Sequence, residues 1–267
     1  MTQASPEPTG TTEEFTTDER EMSFLDHLEE LRWHLIRAAA GVLVSLAVCG
    51  YFADWIINEV ILRPGKLTNP PLDLINTVPY GQITFYMTVI ISGAIVLSVP
   101  WILYQIWKFI EPGLLPRERK YISRIVTFSS LCFFSGVAFS YFVMLPYMLQ
   151  FFAEFGTSDI RNMISVGEYM SFVVQLVMIS GLIFELPMVA YFLARFGILT
   201  PAFMRHYRRH SYVAILFLAA VVTPTTDPVT MSVFSLPILA LYELSVLIAG
   251  VAKRKREAAN PSILDIP

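Results

Sequence analysis

Charge is scarce in this chain. Of its 267 residues only 15% are Asp, Glu, Lys or Arg, while 55% are apolar and the mean hydropathy is +0.56. A soluble domain carries ~25% charged residues. The shortage excludes a disordered chain, a nucleic-acid-binding domain and an ordinary soluble enzyme. Cysteine is scarce too. Cys49 and Cys132 lie inside apolar runs and imply neither a disulfide framework nor a metal site. His27, His34, His206 and His210 lack Cys or acidic partners at metal-ligand spacing. The sequence has no nucleophile elbow, zinc-protease helix, phosphate-binding loop or dinucleotide fingerprint, and no His in the core of an apolar run. No catalytic residue, metal or cofactor is therefore expected.

What the chain has instead is long apolar runs. A spanning helix needs ~20 mostly apolar residues. Runs over 34–57, 83–110, 122–152 and 169–196 meet that length. The run 212–223 is short, and 229–252 is interrupted by Pro237 and Glu243. These last two read as short spans in locally thinned bilayer, with a re-entrant hairpin as the alternative. The fold class expected is an all-α membrane protein of six transmembrane helices, the last two short. Residues 1–22 hold Glu7, Glu13, Glu14, Asp18, Glu19 and Glu21 among Thr and Pro, and are expected to be a disordered acidic tail rather than a secretory signal. Residues 23–252 then form the membrane domain and 253–267 a C-terminal tail.

Positive charge sets the expected orientation. Of 19 Lys and Arg, only Arg63, Lys66 and Arg161 fall on one side of the six-span arrangement; the rest fall on the other. The positive-inside rule then puts both termini in the cytoplasm, with the chain multi-pass in the cytoplasmic membrane. Trp33, Trp55, Tyr80 and Trp107 fall near span boundaries, where aromatic anchors are expected.

Three acidic places stand out. Residues 23–32 read as an amphipathic helix capped by Ser23 and lying along the interface, with Phe24, Leu28, Leu31 and Leu35 on one face and Glu29, Glu30 and Arg32 on the other. That polar face is either merely solvated or a site. After span two, Pro112-Gly113 forces a turn and Pro116 can open the next helix, with Glu118 in its first turn among Arg117, Arg119 and Lys120. This is either a local ion-pair cluster or an acidic spot that receives a cation. Within the membrane, Glu185 precedes Pro187, which cannot donate to the carbonyl of Ile183. A kink and a costly buried carboxyl are expected there. Glu243 lies nearer a span end, and Asp227 sits in the turn Thr223-Pro224-Thr225-Thr226-Asp227-Pro228. On these features alone a receptor, a scaffold and a proton-coupled secondary transporter relaying through Glu185 and Glu243 all remain open.

Taken in order, several motifs resemble the TatC family, the multi-span subunit of the twin-arginine protein translocase. They are His27-Leu28-Glu29-Glu30-Leu31-Arg32, Tyr104-Gln105-Ile106-Trp107-Lys108-Phe109-Ile110-Glu111-Pro112-Gly113-Leu114, Glu118-Arg119, Tyr141-Phe142-Val143-Met144-Leu145-Pro146, Phe184-Glu185-Leu186-Pro187 and the turn 223–228. The resemblance implies a receptor, not an enzyme. It would bind the Arg-Arg signal peptides of folded proteins and recruit single-span TatA/TatB-type subunits for transport driven by the proton-motive force, within a larger self-associating complex and without nucleic acid. It implies that Glu30 and Glu118 receive the two arginines, with Arg32, Phe109 and Arg119 beside them. It further implies that Glu185 with Pro187 meets polar groups of a partner helix, and that Asp227 and Thr223 belong to the same intramembrane polar set. The chain departs from many relatives at Trp33-His34, Thr88 and Met231.

Overall fold

The computed structural model describes residues 24–111, 122–155, 163–222 and 228–259. Helix α1 (Phe24–Tyr51) opens the chain. The amphipathic stretch near residue 30 is therefore not a separate helix along the interface but the first turns of the first span. Leu28, Leu31, Leu35 and Ile36 all lie exposed on it. With no strong breaker after Ser23, helix propensity carries α1 straight into the apolar run. The predicted cap Ser23 lies outside the described residues.

A short helix α2 (Ala53–Trp55), a wide π-helical turn (Ile56–Ile61) and helix α3 (Arg63–Lys66) follow. Strand β1 (Asp73–Ile75) then leads to α4 (Gly81–Ile110). Helix α5 (Ile122–Phe139) continues through a second π turn (Ser140–Met144) into α6 (Leu145–Glu154). Strand β2 (Met163–Ser165) precedes α7 (Val166–Ile183) and α8 (Leu186–Phe196). Helices α9 (Pro201–His206), α10 (Arg208–Val222) and α11 (Pro228–Ala259) complete the order.

Among the described residues, five segments are long and apolar enough to cross a membrane: His27–Tyr51, Gly81–Ile110, Ile122–Glu154, Val166–Phe196 and Pro228–Lys255. The sixth helix, α10, has 15 residues. At ~1.5 Å per residue it spans ~22 Å of a ~30 Å hydrocarbon layer. Helix α11 runs unbroken through Pro237 and carries Lys253, Arg254 and Lys255 as a helical extension.

Lipid offers no hydrophobic drive to bring helices together, so close packing must do it. Antiparallel α1 and α4 mesh where a Cβ on Gly41 would lie 2.1 Å from Trp101 Cδ1, and where Gly93 faces Cys49. Helices α5 and α7 mesh through two glycines. A Cβ on Gly136 would meet the Ser180 carbonyl at 2.6 Å, and one on Gly181 would meet Phe133 at 2.5 Å. Leu145, Met148, Tyr169, Leu176, Phe234 and Ile238 anchor the main core between α6, α7 and α11.

The end formed by residues 52–80 is tied together by polar contacts. The π turn leaves carbonyls without helical partners. Tyr141 Oη donates to Val60 O (2.8 Å) and Tyr169 Oη to Ile61 O (2.6 Å). The Gln150 amide exchanges two hydrogen bonds with the Asn69 backbone, at 3.0 and 2.9 Å. Strands β1 and β2 pair in parallel with Leu74 opposite Ile164. No strand was expected: three-residue strands leave too little pattern in the sequence to detect.

Candidate functional site

The first site builds up where α1 begins and α4 ends. On a helix, positions 27, 30 and 34 fall on one stripe. His27 stacks on Phe109 with ring centroids 4.6 Å apart, and His34 meets the same ring edge-on at 6.1 Å. His34 is buried, and its Nδ1 lies 2.9 Å from Oε1 of the equally buried Gln105. That pairing fixes the two helices in register and orients Phe109 one turn beyond Gln105. Glu30 lies on the same stripe between the two histidines. Its Oε2 is fully buried and has no hydrogen-bond partner among the described residues. An unsatisfied carboxylate oxygen in such a place is costly and leaves an acceptor ready for a donor from outside. Arg32 is exposed. Glu118 and Arg119 lie outside the described residues.

Trp107 is not an interface anchor. It is 9% exposed and packs on Phe192 of α8 at 3.9 Å between centroids, whereas Trp33, Trp55 and Tyr80 are open to the surroundings as expected. Gln105 and Trp107, two residues apart, lie on opposite faces of α4, and both are buried because α1 covers one and α8 the other.

The second site is the break at Glu185. Helix α7 stops at Ile183, Phe184 and Glu185 form a turn, and α8 starts at Leu186 with Pro187 in its first turn. The sequence predicted a kink; the structure interrupts the helix for these two residues, both of which keep right-handed helical angles. Pro187 explains it by removing the donor that would have continued the ladder. Ser129 Oγ of α5 donates to Glu185 Oε2 at 2.5 Å. The other oxygen, Oε1, is buried without a partner among the described residues. Sequence reasoning missed Ser129, whose only signal is a serine pair, Ser129-Ser130, inside an apolar run. Thr223 and Asp227 lie outside the described residues.

Glu243 has a different setting from Glu185. Arg208 Nη2 donates to its Oε2 at 2.6 Å and Tyr212 Oη to its Oε1 at 2.5 Å. Both partners sit on α10, so this half-exposed carboxylate fastens α10 to α11. A relay role would need it open.

Comparison with known proteins bears directly on these sites. The family model described as Sec-independent protein translocase protein (TatC) matches residues 26–237. A TatC protein of Carboxydothermus hydrogenoformans is 33% identical over 238 residues, covering 89% of this chain and 97% of that protein. A TatC protein of Helicobacter pylori is 38% identical over 223 residues, covering 84% and 87%. A crystal structure of a twin-arginine translocase receptor, TatC, superposes with a TM-score of 0.76 at 32% identity, covering 85% of this chain and 100% of that one.

Proposed function

This chain belongs to the TatC family of Sec-independent protein translocase proteins, and we propose that it is the subunit that receives Arg-Arg signal peptides of folded export substrates. The observation that carries the reading is Glu30: a carboxylate oxygen buried without a donor, on the stripe of α1 that faces Phe109. A guanidinium fits such an acceptor through parallel, charge-assisted hydrogen bonds, each contributing ~1.5–3 kcal/mol net. Lysine has no planar fork and fits less well. In this reading Glu118 takes the second arginine, and Arg32 and Arg119 flank and orient the two acids. Phe109 packs against the signal's apolar residue. Both termini, and hence this site, face the cytoplasm, as the distribution of Lys and Arg supports.

Glu185 is the second half of the proposal. Its free Oε1 beside the Pro187 break supports docking of a polar group from a single-span TatA/TatB-type helix, with Thr223 and Asp227 in the same intramembrane set. The chain acts in transport rather than catalysis, self-associates in a larger complex and works from the cytoplasmic membrane, with the proton-motive force driving passage. Crosslinking of an Arg-Arg signal peptide to wild type, Glu30→Ala and Glu118→Ala tests the receptor role. Both variants should lose most of the crosslink, and undiminished crosslinking in both would reject it.

A further inference from the structure

A groove of about 520 Å³ runs between α9 and the C-terminal part of α11, and nothing in the receptor reading uses it. Its origin is local. Helix α8 ends at Gly197, whose φ of 80° closes the turn through bonds from Gly197 N and Ile198 N back to Ala194 and Leu193. Thr200 then caps α9, its hydroxyl accepting from Phe203 N, with Pro201 in the first turn. Pro201 and Met204 turn inward, and Tyr242 Oη of α11 holds the Met204 carbonyl at 2.8 Å. Helix α9 is thus pinned against α11 at Gly250, where a Cβ would sit 3.9 Å from Pro201.

The groove has two chemically distinct parts. Its wall is apolar: Ala202, Val246, Leu247, Gly250 and Val251. Its mouth holds three cations, Arg205, Lys253 and Arg254; the two arginines are exposed, with no described carboxylate paired to either. Next to it, the rings of Phe203 and Tyr207 lie 4.6 Å apart, tilted by 46°, and stand open to the surroundings. Exposed aromatics at a span end mark the headgroup level of a bilayer. An apolar trough that ends in uncompensated guanidinium groups at that depth fits one class of ligand, a lipid with an anionic phosphate.

We propose that this groove seats an anionic phospholipid of the surrounding leaflet. Its phosphate is held between Arg205 and Arg254, and one acyl chain lies along Leu247, Gly250 and Val251. Guanidinium suits this task because its planar fork gives phosphate two hydrogen bonds at once. The bound lipid would couple α9 to α11 in addition to the contacts of Pro201, Met204 and Tyr242. This proposal does not depend on what the site near Glu30 binds.

The test uses the full chain purified in detergent and titrated with phosphatidylglycerol or phosphatidylcholine, read by native mass spectrometry and thermal shift. Wild type should retain one phosphatidylglycerol with an apparent affinity about tenfold or more above that for phosphatidylcholine. Arg205→Gln/Arg254→Gln should erase the preference while leaving the lipid-free melting temperature unchanged, because both side chains are exposed. Gly250→Phe fills the trough and keeps both cations; it should weaken phosphatidylglycerol binding as much. Glycerol phosphate, which lacks acyl chains, should not compete. Equal retention of the two lipids by wild type, or an unchanged preference in the double variant, overturns the proposal. So does full binding by Gly250→Phe, since the cations would then be acting without the groove. Displacement of the lipid by a single-span polypeptide at equimolar ratio would also overturn it and assign the groove to a protein helix.

Discussion

Ser129 donates to one carboxylate oxygen of Glu185 from the neighbouring helix and leaves the other oxygen buried and unbonded. In the proposed reading the two oxygens have separate tasks, one holding the side chain in position and one open to a partner. Ser129→Ala should loosen the carboxylate and lower stability by roughly 1 kcal/mol, in line with hydrogen bonds inside membrane proteins. Glu185→Leu should abolish co-purification of single-span partners, and Glu185→Gln should keep part of it. Wild-type partner yield with Glu185→Leu would remove the docking role.

Phe109 is held by His27 and His34, so its ring is already oriented before any ligand arrives. Phe109→Ala should weaken signal-peptide crosslinking several-fold without the loss of fold that core truncation brings. An Arg-Arg to Lys-Lys change in the peptide should weaken it further. If the Lys-Lys peptide crosslinks as well as the Arg-Arg peptide, planar recognition by Glu30 is not the basis of selection.

Glycines at helix crossings differ in what an added methyl group meets. Gly136→Ala drives Cβ toward the Ser180 backbone, which cannot swing away, and Gly181→Ala drives it into the edge of the buried Phe133 ring. Each should cost about 1–3 kcal/mol, with Gly136 the worse. Gly50→Ala meets nothing within 4 Å and should be neutral or stabilising by up to ~1 kcal/mol. Thermal unfolding of the three variants in one detergent checks the ranking.

Tyr141 and Tyr169 hold successive carbonyls of the π turn. Replacing either by Phe should cost about 1–2 kcal/mol, because the carbonyl loses its donor and the ring stays. The cost should appear first as faster amide exchange in residues 56–66. Equal exchange in Tyr169→Phe and wild type would mean that the turn is held by its packing alone.

Glu243 is engaged by Arg208 and Tyr212, so Glu243→Gln should leave export of an Arg-Arg-tagged reporter nearly intact. The half-exposed ion pair is worth at most ~1 kcal/mol. Collapse of export at unchanged protein level would revive a proton relay through this residue.

The spans were legible because a bilayer imposes a length on apolar runs, and 83–110 and 169–196 reproduce the structure closely. The start of α1 was misplaced because hydropathy marks where a helix enters lipid, not where helical hydrogen bonding begins. Trp107 was misassigned because an aromatic near a span end looks the same in sequence whether it faces headgroups or a neighbouring helix. Glu185 and Pro187 stood out because both are anomalous in an apolar run. Ser129 did not, since serine is commonplace there and its meaning comes only from a residue 56 positions away. The Arg208–Tyr212–Glu243 cluster was hidden for the same reason.

Trp101 fills the notch at Gly41 and donates through its indole to the Arg37 carbonyl at 2.8 Å. One turn above or below that notch stand Arg37 and Ser45, whose Cβ atoms would block the ring. The first two spans therefore have a single way to engage, like a key in a ward, and cannot slip past one another.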